Sequence, residues 1–271
     1  MVRTYSLAYL TSHTCSAPEA MRLAAELGYA CVGLRLLPVA PGGQVQALIG
    51  RPEILKETLA AQRETGVGVF DLEIVRIGAD FDPQAFLPLF EVGAELKARA
   101  VLVAGDDADQ ARLADNYARL CETMRPFGLT ADLEFMPWTA VADAKSALRV
   151  VEAAGRPANA GILVDALHAA RSSTTLDDLR AIPRELLHYA QVCDAPPPLP
   201  DRAFTTDELI HTARCARLLP GEGGIDIKGM IAALPDDLPL SVEVVHLERM
   251  AGMSARDWAR QALEASRRVL E

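Results

Sequence analysis

A repeated alternation of strand-like and helix-like segments is the feature that most constrains this 271-residue chain. Short apolar runs are followed by stretches in which apolar residues recur at helical spacing. Strands are predicted at 5–10, 31–36, 67–77, 100–104, 130–136, 161–166, 187–192 and 240–245. Eight strands that alternate with helices, in a chain of this length, predict one α/β domain over residues 1–271, a (β/α)8 TIM barrel.

The main alternative to a barrel is an open, doubly wound sheet. Such a sheet usually carries a glycine-rich phosphate-binding turn after its first strand. The corresponding turn here reads TSHTCS at 11–16 and contains no glycine. This difference favours the barrel.

One long interval, at about 195–238, separates the seventh and eighth predicted strands. It contains APPPLP at 195–200, a helix-like segment near 207–218 and PGEGG at 220–224. In a TIM barrel, such a connection lies on the face that carries the active site. The interval is therefore predicted to form an extended rim loop or lid, although a connection that only packs over the barrel end is an alternative.

Four polar residues lie on apolar strand-like runs in the second half of the chain: Glu134, Asp165, Gln191 and Glu243. Burying several carboxylates is costly unless something compensates their charge. Parallel barrel strands end at one rim, with alternate side chains inward, so the four side chains are predicted to converge. Three carboxylates and an amide oxygen suit Mn²⁺, Mg²⁺ or Co²⁺, and zinc is a further option.

Each of these four residues also has a structural interpretation. Glu134 could pair with an inward arginine or lysine, and Asp165 could cap the following helix. Gln191 could bond to the backbone, and Glu243 could be a satisfied core carboxylate. A shared metal ion accounts for all four positions at once.

Four segments resemble the xylose-isomerase-like TIM barrels, a superfamily of sugar isomerases, epimerases and related dehydratases. They are the strand around Glu134, DALH at 165–168, QVCD at 191–194 followed by LPGEG at 219–223, and SVE at 241–243. The resemblance implies one divalent ion, with Mn²⁺ the first expectation, on Glu134, Asp165, Gln191 and Glu243. Gln191 stands where the family more often has histidine. The resemblance also implies that Glu134 and Glu243 move the substrate proton and that His168 lines the substrate site.

Five further residues are candidates for substrate contacts: His13, Arg35, Trp138, Arg217 and Glu222. His13 and Arg35 end the first two predicted strands, and Trp138 follows the fifth. Glu222, in the PGEG turn, is expected to hold a rim arginine or lysine such as Arg217. Asp194, three residues after Gln191, is a candidate for orienting the metal ligands.

Charge and composition narrow the classes of partner. The net charge is −10 and no block of Lys and Arg stands out, which argues against nucleic acids and anionic membranes. No apolar run reaches the roughly 18 residues of a membrane span. The N-terminus does not resemble a signal peptide, and five scattered cysteines favour reduced thiols, so a cytoplasmic location is expected. A homo-oligomer is compatible with these features.

These residues support one chemistry with several outcomes. An ion on oxygen ligands polarises a carbonyl, and carboxylates can then remove and return the neighbouring proton. The expected function is a metal-dependent isomerase or epimerase of a small keto sugar or polyol-derived keto compound. The alternatives are a dehydratase of a cyclic keto-polyol, of the inosose or 3-dehydroshikimate type, and a non-catalytic sugar-binding barrel.

Overall fold

Eight parallel strands close into a barrel in chain order, in a computed structural model that describes residues 3–39 and 42–271. The strands are β1 (Tyr5–Leu7), β2 (Cys31–Arg35), β3 (Gly68–Ile77), β4 (Ala100–Gly105), β5 (Thr130–Glu134), β6 (Ala160–Asp165), β7 (Ala190–Val192) and β8 (Leu240–Val242). The predicted (β/α)8 barrel, a single TIM-barrel domain, is confirmed.

Helices lie between the strands in the order expected for this fold. They are α1 (Ala17–Leu27), α2 (Pro52–Thr65), α3 (Leu87–Glu95), α4 (Gln110–Met124), α5 (Ala144–Ala153), α6 (Ala166–Arg171), α7 (Leu176–Arg180), α8 (Thr206–Cys215), α9 (Ile227–Ala232), α10 (Leu247–Met250) and α11 (Ala255–Leu270). Short 3-10 turns occupy Tyr9–Ser12, Pro83–Phe86, Arg125–Phe127 and Arg184–Leu186. Among the described residues, no helix combines the length and the apolar character needed to cross a membrane.

The inner face of the barrel carries both apolar and acidic side chains. A small apolar cluster fills part of it: Cys31, Phe70, Ala100, Leu102, Leu163 and Tyr189. The strand register places Glu134 beside Leu163, and Asp165 beside Gln191, which lies beside Ser241. Paired residues on adjacent strands share a face, so this register turns the polar residues of β5 to β7 into the barrel.

The last strand is shorter than predicted, and Glu243 follows it instead of lying inside it. The reason lies in β1, which ends at Leu7 because the chain enters a 3-10 turn. Thr11, in that turn, donates to the carbonyl of Val242 and accepts from the amide of Val244, both at 2.7 Å. The side chain of Thr11 thus takes the place of backbone hydrogen bonds between β1 and the end of β8, and it fixes the backbone on either side of Glu243.

The segment after β7 leaves the barrel and returns to it beside Asp194. Backbone hydrogen bonds of 2.9 and 2.8 Å join Asp194 and Leu218. The buried Asp194 carboxylate accepts four backbone amides, at 2.8 to 3.0 Å, from Ala195, Gly221, Gly223 and Ile225. Gly223 is required here because a Cβ would lie 2.1 Å from the Ala195 carbonyl oxygen. Asp194 therefore closes the turn, and its hydrogen bonds go to this backbone, not to the predicted metal ligands.

Candidate metal centre and active site

A cavity of about 230 Å³ opens at the C-terminal rim of the barrel. Its acidic lining residues are all buried: Glu73, Glu134 and Glu243. Three arginines at its mouth are less buried than these carboxylates: Arg35, Arg76 and Arg214. The cavity therefore has a carboxylate floor and a cationic mouth, and one further arginine, Arg217, is buried in the floor.

Three buried side chains on the floor are close enough to share one ion. Glu134, Asp165 and His168 each offer a ligand atom, and these atoms lie within 4.8 Å of one another. Asp165 ends β6 and caps α6, where its Oδ1 accepts the His168 amide at 3.0 Å. The cap sets the first turn of α6, which brings His168 Nε2 to 3.6 Å from Glu134 Oε1. Asp165 therefore acts as a helix cap and is placed as a candidate ligand.

The side-chain amide of Gln191 is a buried polar group without a partner in residues 3–39 and 42–271. The residue is fully buried, and neither Oε1 nor Nε2 forms a hydrogen bond within the described part of the chain. A buried amide without partners costs free energy. Gln191 is paired with Asp165 in the strand register, so the two side chains share the inner face of the barrel. This unpaired amide and the acidic donors beside it fit a divalent cation.

Arg217 links two of the predicted ligands. Its Nη1 lies 2.6 Å from Asp165 Oδ2, and its Nη2 lies 2.9 Å from Glu243 Oε2. The backbone holds this arginine in place, because its Nε donates to the Ala213 carbonyl at 2.9 Å. Glu222 holds an arginine, as expected, but its partner is Arg249 and not Arg217. Glu222 pairs at the surface with Arg249, at 2.5 and 3.1 Å, because the turn closed on Asp194 directs it away from the cavity.

The floor holds more negative than positive charge. In the part of the chain that the structure describes, four buried carboxylates, of Glu73, Glu134, Asp165 and Glu243, are contacted by only two guanidinium groups, that of Arg217 in the floor and that of Arg35 at the mouth. Burial, together with the charges of Asp165 and Glu243, raises the pKa of Glu134 well above its usual value. Burial also raises the pKa of Glu243 to about 8, although Arg217 opposes this. A divalent cation would relieve this excess of buried negative charge.

His168 is neutral at ordinary pH. Burial lowers its pKa to about 4, although the charge of Asp165 opposes this. Its Nδ1 and the Nε1 of neighbouring Trp138 are buried and have no partner among the described residues. The two rings meet edge to face, with centroids 5.0 Å apart. Both line the cavity, where a polar ligand would supply the missing hydrogen bonds.

The structure separates the predicted substrate contacts. Arg35, Trp138 and Arg217 line the cavity. His13 lies in a neighbouring cleft, and its ring contacts the Leu10 carbonyl at 3.1 Å. Glu222 is not among the residues that line the cavity.

A second acidic layer lies beneath the floor, and its members received no role in the sequence analysis. Asp71 is fully buried, and neither of its oxygens has a partner among the described residues. Burial, followed by the charge of Glu73, raises its pKa well above the usual value. Asp132 contacts His188 Nδ1 at 2.7 Å. In the sequence, this layer is marked by acidic residues two positions apart on one strand. Asp71 precedes Glu73 and Asp132 precedes Glu134, so the members of each pair share a face of the barrel.

The contact between Asp132 and His188 is expected to make stability depend on pH. Burial disfavours the charged imidazole, but Asp132 outweighs it and raises the pKa of His188 above its usual value. This contribution is complete below the unfolded-state pKa and is lost as the pH rises through the folded-state pKa. Urea unfolding should therefore show that the stability advantage of wild type over His188→Gln shrinks between about pH 5.5 and about pH 8.5. A difference that stays constant over this range would contradict the assignment.

Comparison with known proteins gives the family. Residues 21–269 match the model of the xylose isomerase-like TIM barrel family. A 3-dehydroshikimate dehydratase of Pseudomonas aeruginosa is 27% identical over 164 residues, which are 57% of this chain and 25% of that protein. The chain thus spans about a quarter of the length of the curated relative that it matches.

Solved structures show the same fold at low sequence identity. The IolI protein with a bound zinc atom superposes with a TM-score of 0.75 at 17% identity, over 98% of each chain. A D-allulose 3-epimerase from Methylomonas sp. superposes with a TM-score of 0.69 at 16% identity, over 99% of this chain and 98% of that one. The family model covers nearly the whole barrel, and this chain belongs to the xylose isomerase-like TIM barrel family.

Proposed function

We propose that the protein is a divalent-metal-dependent isomerase or epimerase of a small keto sugar or polyol-derived keto compound. The observation that carries the proposal is the buried cluster of Glu134, Asp165 and His168 beside the unpaired amide of Gln191. The cluster lies at the C-terminal rim, where enzymes of this fold have their active sites. The fold shared with D-allulose 3-epimerase is consistent with this class of reaction.

The ion would be held by Glu134, Asp165 and Glu243, with Gln191 or His168 completing the set. When bound, it would act as a Lewis acid toward a substrate carbonyl. Mn²⁺ is our first expectation because most of these donors are oxygens. A ligand role for His168, and the zinc atom in the structure of IolI, favour zinc as the second candidate.

The chain's own residues would orient the substrate and move its proton. Glu243 and Glu134 are the proposed proton carriers, since both are buried carboxylates that line the cavity. One would remove the α-proton, and the other would return it to the opposite face or to the neighbouring carbon. Arg217 would stabilise negative charge that develops on the substrate oxygen. The unpaired Trp138 Nε1–H would donate to a substrate hydroxyl.

A dehydratase is the second candidate. The similarity to the 3-dehydroshikimate dehydratase supports it, although that similarity is confined to part of each chain. Removal of the α-proton is common to both reactions, and loss of a β-hydroxyl would then release water. Product mass distinguishes the two, because dehydration removes one water and isomerisation changes nothing.

Metal dependence can be tested without a substrate. Thermal unfolding of metal-stripped protein should shift upward with Mn²⁺, by about 2.7 kcal/mol at a hundredfold excess over the dissociation constant. For a chain of this size, the shift corresponds to about 5–10 °C. Mg²⁺, Co²⁺ and Zn²⁺ would be scanned in parallel.

The matched variants for this experiment are Glu134→Ala and Glu91→Ala. Glu91 lies on α3 and is exposed, so its loss should leave the Mn²⁺ response intact. Glu134→Ala should abolish the response. If wild type shows no shift with any of the four ions, the metal-dependent mechanism is wrong, and a sugar-binding barrel becomes the better description.

A further inference from the structure

We infer that Arg35, Arg76 and Arg214 form an anion-binding subsite at the mouth of the cavity, for a carboxylate or phosphate group of the ligand. The assignment of that group to the substrate rests on the proposed function. The subsite itself rests on the placement and charge of three residues, only one of which the sequence analysis selected as a substrate contact.

The barrel directs two of these arginines to the rim. Arg35 ends β2 and is paired with Glu73 of β3. The register of β3 shifts between Leu72 and Val75, and beyond the shift Arg76 is paired with Ala104, which is paired with Glu134. Arg76 therefore lies at the same level of the barrel as the proposed proton carrier Glu134. Arg76 lines the same cavity.

The third arginine comes from the segment that follows β7. Arg214 lies in the last turn of α8, three residues before the buried Arg217. The position of Arg217 is fixed by its contacts to Asp165 and Glu243. Because Arg217 is fixed in the floor, the last turn of α8 is held in place, and Arg214 on that turn lies at the cavity mouth.

Two of the three guanidinium groups already have a carboxylate partner. Arg35 Nη2 lies 2.6 Å from Glu73 Oε2. The guanidinium of Arg76 makes a bidentate contact with the carboxylate of Asp106, at 2.7 and 2.8 Å. Arg214 has no carboxylate within 4.0 Å among the described residues. Burial lowers its pKa, and the charges of Arg76 and Arg35 lower it further. Among the described residues, Arg214 therefore carries a positive charge without a carboxylate partner, at a cavity mouth that Arg35 and Arg76 also line.

The two ends of the cavity therefore carry opposite charges. The carboxylates that would hold the ion lie buried in the floor, and the arginines lie at the mouth. A ligand that fits both ends presents hydroxyl or carbonyl oxygens to the floor and an anionic group to the mouth. Guanidinium groups bind carboxylate and phosphate oxygens through paired, charge-assisted hydrogen bonds, so either group would be recognised. A neutral sugar would leave Arg214 without a partner.

The test compares ligands that differ mainly in charge. Calorimetric titration of the Mn²⁺-loaded protein would use shikimate against its methyl ester, and fructose 6-phosphate against fructose. We expect the anionic member of at least one pair to bind about tenfold more tightly, the size of one charge-assisted contact. The pair that shows the preference identifies the anion as a carboxylate or a phosphate.

Two variants assign the preference to the subsite. Arg214→Gln should reduce it to about twofold or less, since it removes the unpaired charge. Arg63→Gln, on the exposed face of α2 and away from the cavity, should keep it. Both side chains are exposed, so both variants should fold, and an unchanged thermal midpoint would verify this.

Three results would overturn the subsite: equal affinity within both pairs, no binding by any of the four compounds, or the same loss of preference in Arg63→Gln as in Arg214→Gln. Repeating the titrations on metal-free protein separates this inference from the proposed function. An anion preference without any Mn²⁺ stabilisation would retain the subsite and reject the metal-dependent mechanism. Mn²⁺ stabilisation without an anion preference would retain the metal-dependent mechanism and reject the subsite.

Discussion

Glu243→Gln is expected to slow Mn²⁺-dependent exchange of the substrate α-proton with solvent by about 10²- to 10⁴-fold, the usual effect of losing a residue that transfers a proton. The amide keeps the size of the side chain, and its oxygen can still accept from Arg217. It cannot take up a proton as the carboxylate does. Deuterium incorporation from heavy water, followed by NMR over a panel of keto sugars and keto-polyols, gives the rate.

The matched control for this variant is Glu248→Gln. Glu248 lies five residues further along the chain, on the exposed face of α10, and should exchange at the wild-type rate. If Glu243→Gln kept the wild-type rate on a compound that wild type exchanges, Glu243 would not be the proton carrier. If wild type exchanged no compound in the panel, the non-catalytic barrel would gain support.

Arg217→Met should lower the free energy of unfolding by about 3–5 kcal/mol in metal-free protein. The guanidinium is almost completely buried and contacts two carboxylates that are equally buried. Without it, Asp165 and Glu243 would keep their desolvation cost and lose their main positive partner. Chemical unfolding in the presence of a chelator measures the difference.

Arg249→Met tests whether burial is the cause. Arg249 also makes a bidentate contact, with the carboxylate of Glu222. Both of these side chains are more than one-third exposed. Such surface pairs contribute about 0–1 kcal/mol, so the loss should be small. An equal loss of unfolding free energy in Arg217→Met and Arg249→Met would show that burial does not increase the contribution of the Arg217 contacts to stability.

The fold was predictable from the sequence because its signal is repeated along the whole chain. Helical spacing of apolar residues predicts helices at 17–27 and 255–270, and these are the bounds of α1 and α11, because Ser16 and Gly28 flank α1 and Ser254 caps α11. The strand ends were less predictable. β8 is shorter than its apolar run because Thr11, from the other end of the chain, takes over the backbone bonds of Val242 and Val244. A single-sequence pattern does not contain that contact.

The acidic floor was also readable from the sequence, because each carboxylate interrupts an apolar strand. The structure places Glu134 and Asp165 in one cluster and puts Gln191 beside Asp165. It adds His168 to the cluster and links Glu243 to it through Arg217. The ligand set itself stays a prediction, to be tested by the metal titration.

Arg35 of the cationic mouth was predicted as a substrate contact, but Arg76 and Arg214 were not, because tertiary structure sets their positions. Arg76 reaches the rim through a register shift in β3, and Arg214 through a helix in the longest connection between strands. The partner of Glu222 was missed for the same reason. Nothing in the sequence near that turn shows that it faces Arg249.

The pairing of Asp194 with Leu218 has a consequence for how this barrel can change its ligand. Residues 195–217 form an excursion whose two ends meet, and the carboxylate of Asp194 secures the junction from inside. What lies between the ends can vary in length and composition while the junction keeps its shape. Arg214 and Arg217 both belong to the excursion, whereas the carboxylates that Arg217 contacts lie outside it. A new specificity could therefore be acquired by exchanging the part of the excursion that precedes Arg217, as long as Arg217 keeps its contacts to Asp165 and Glu243.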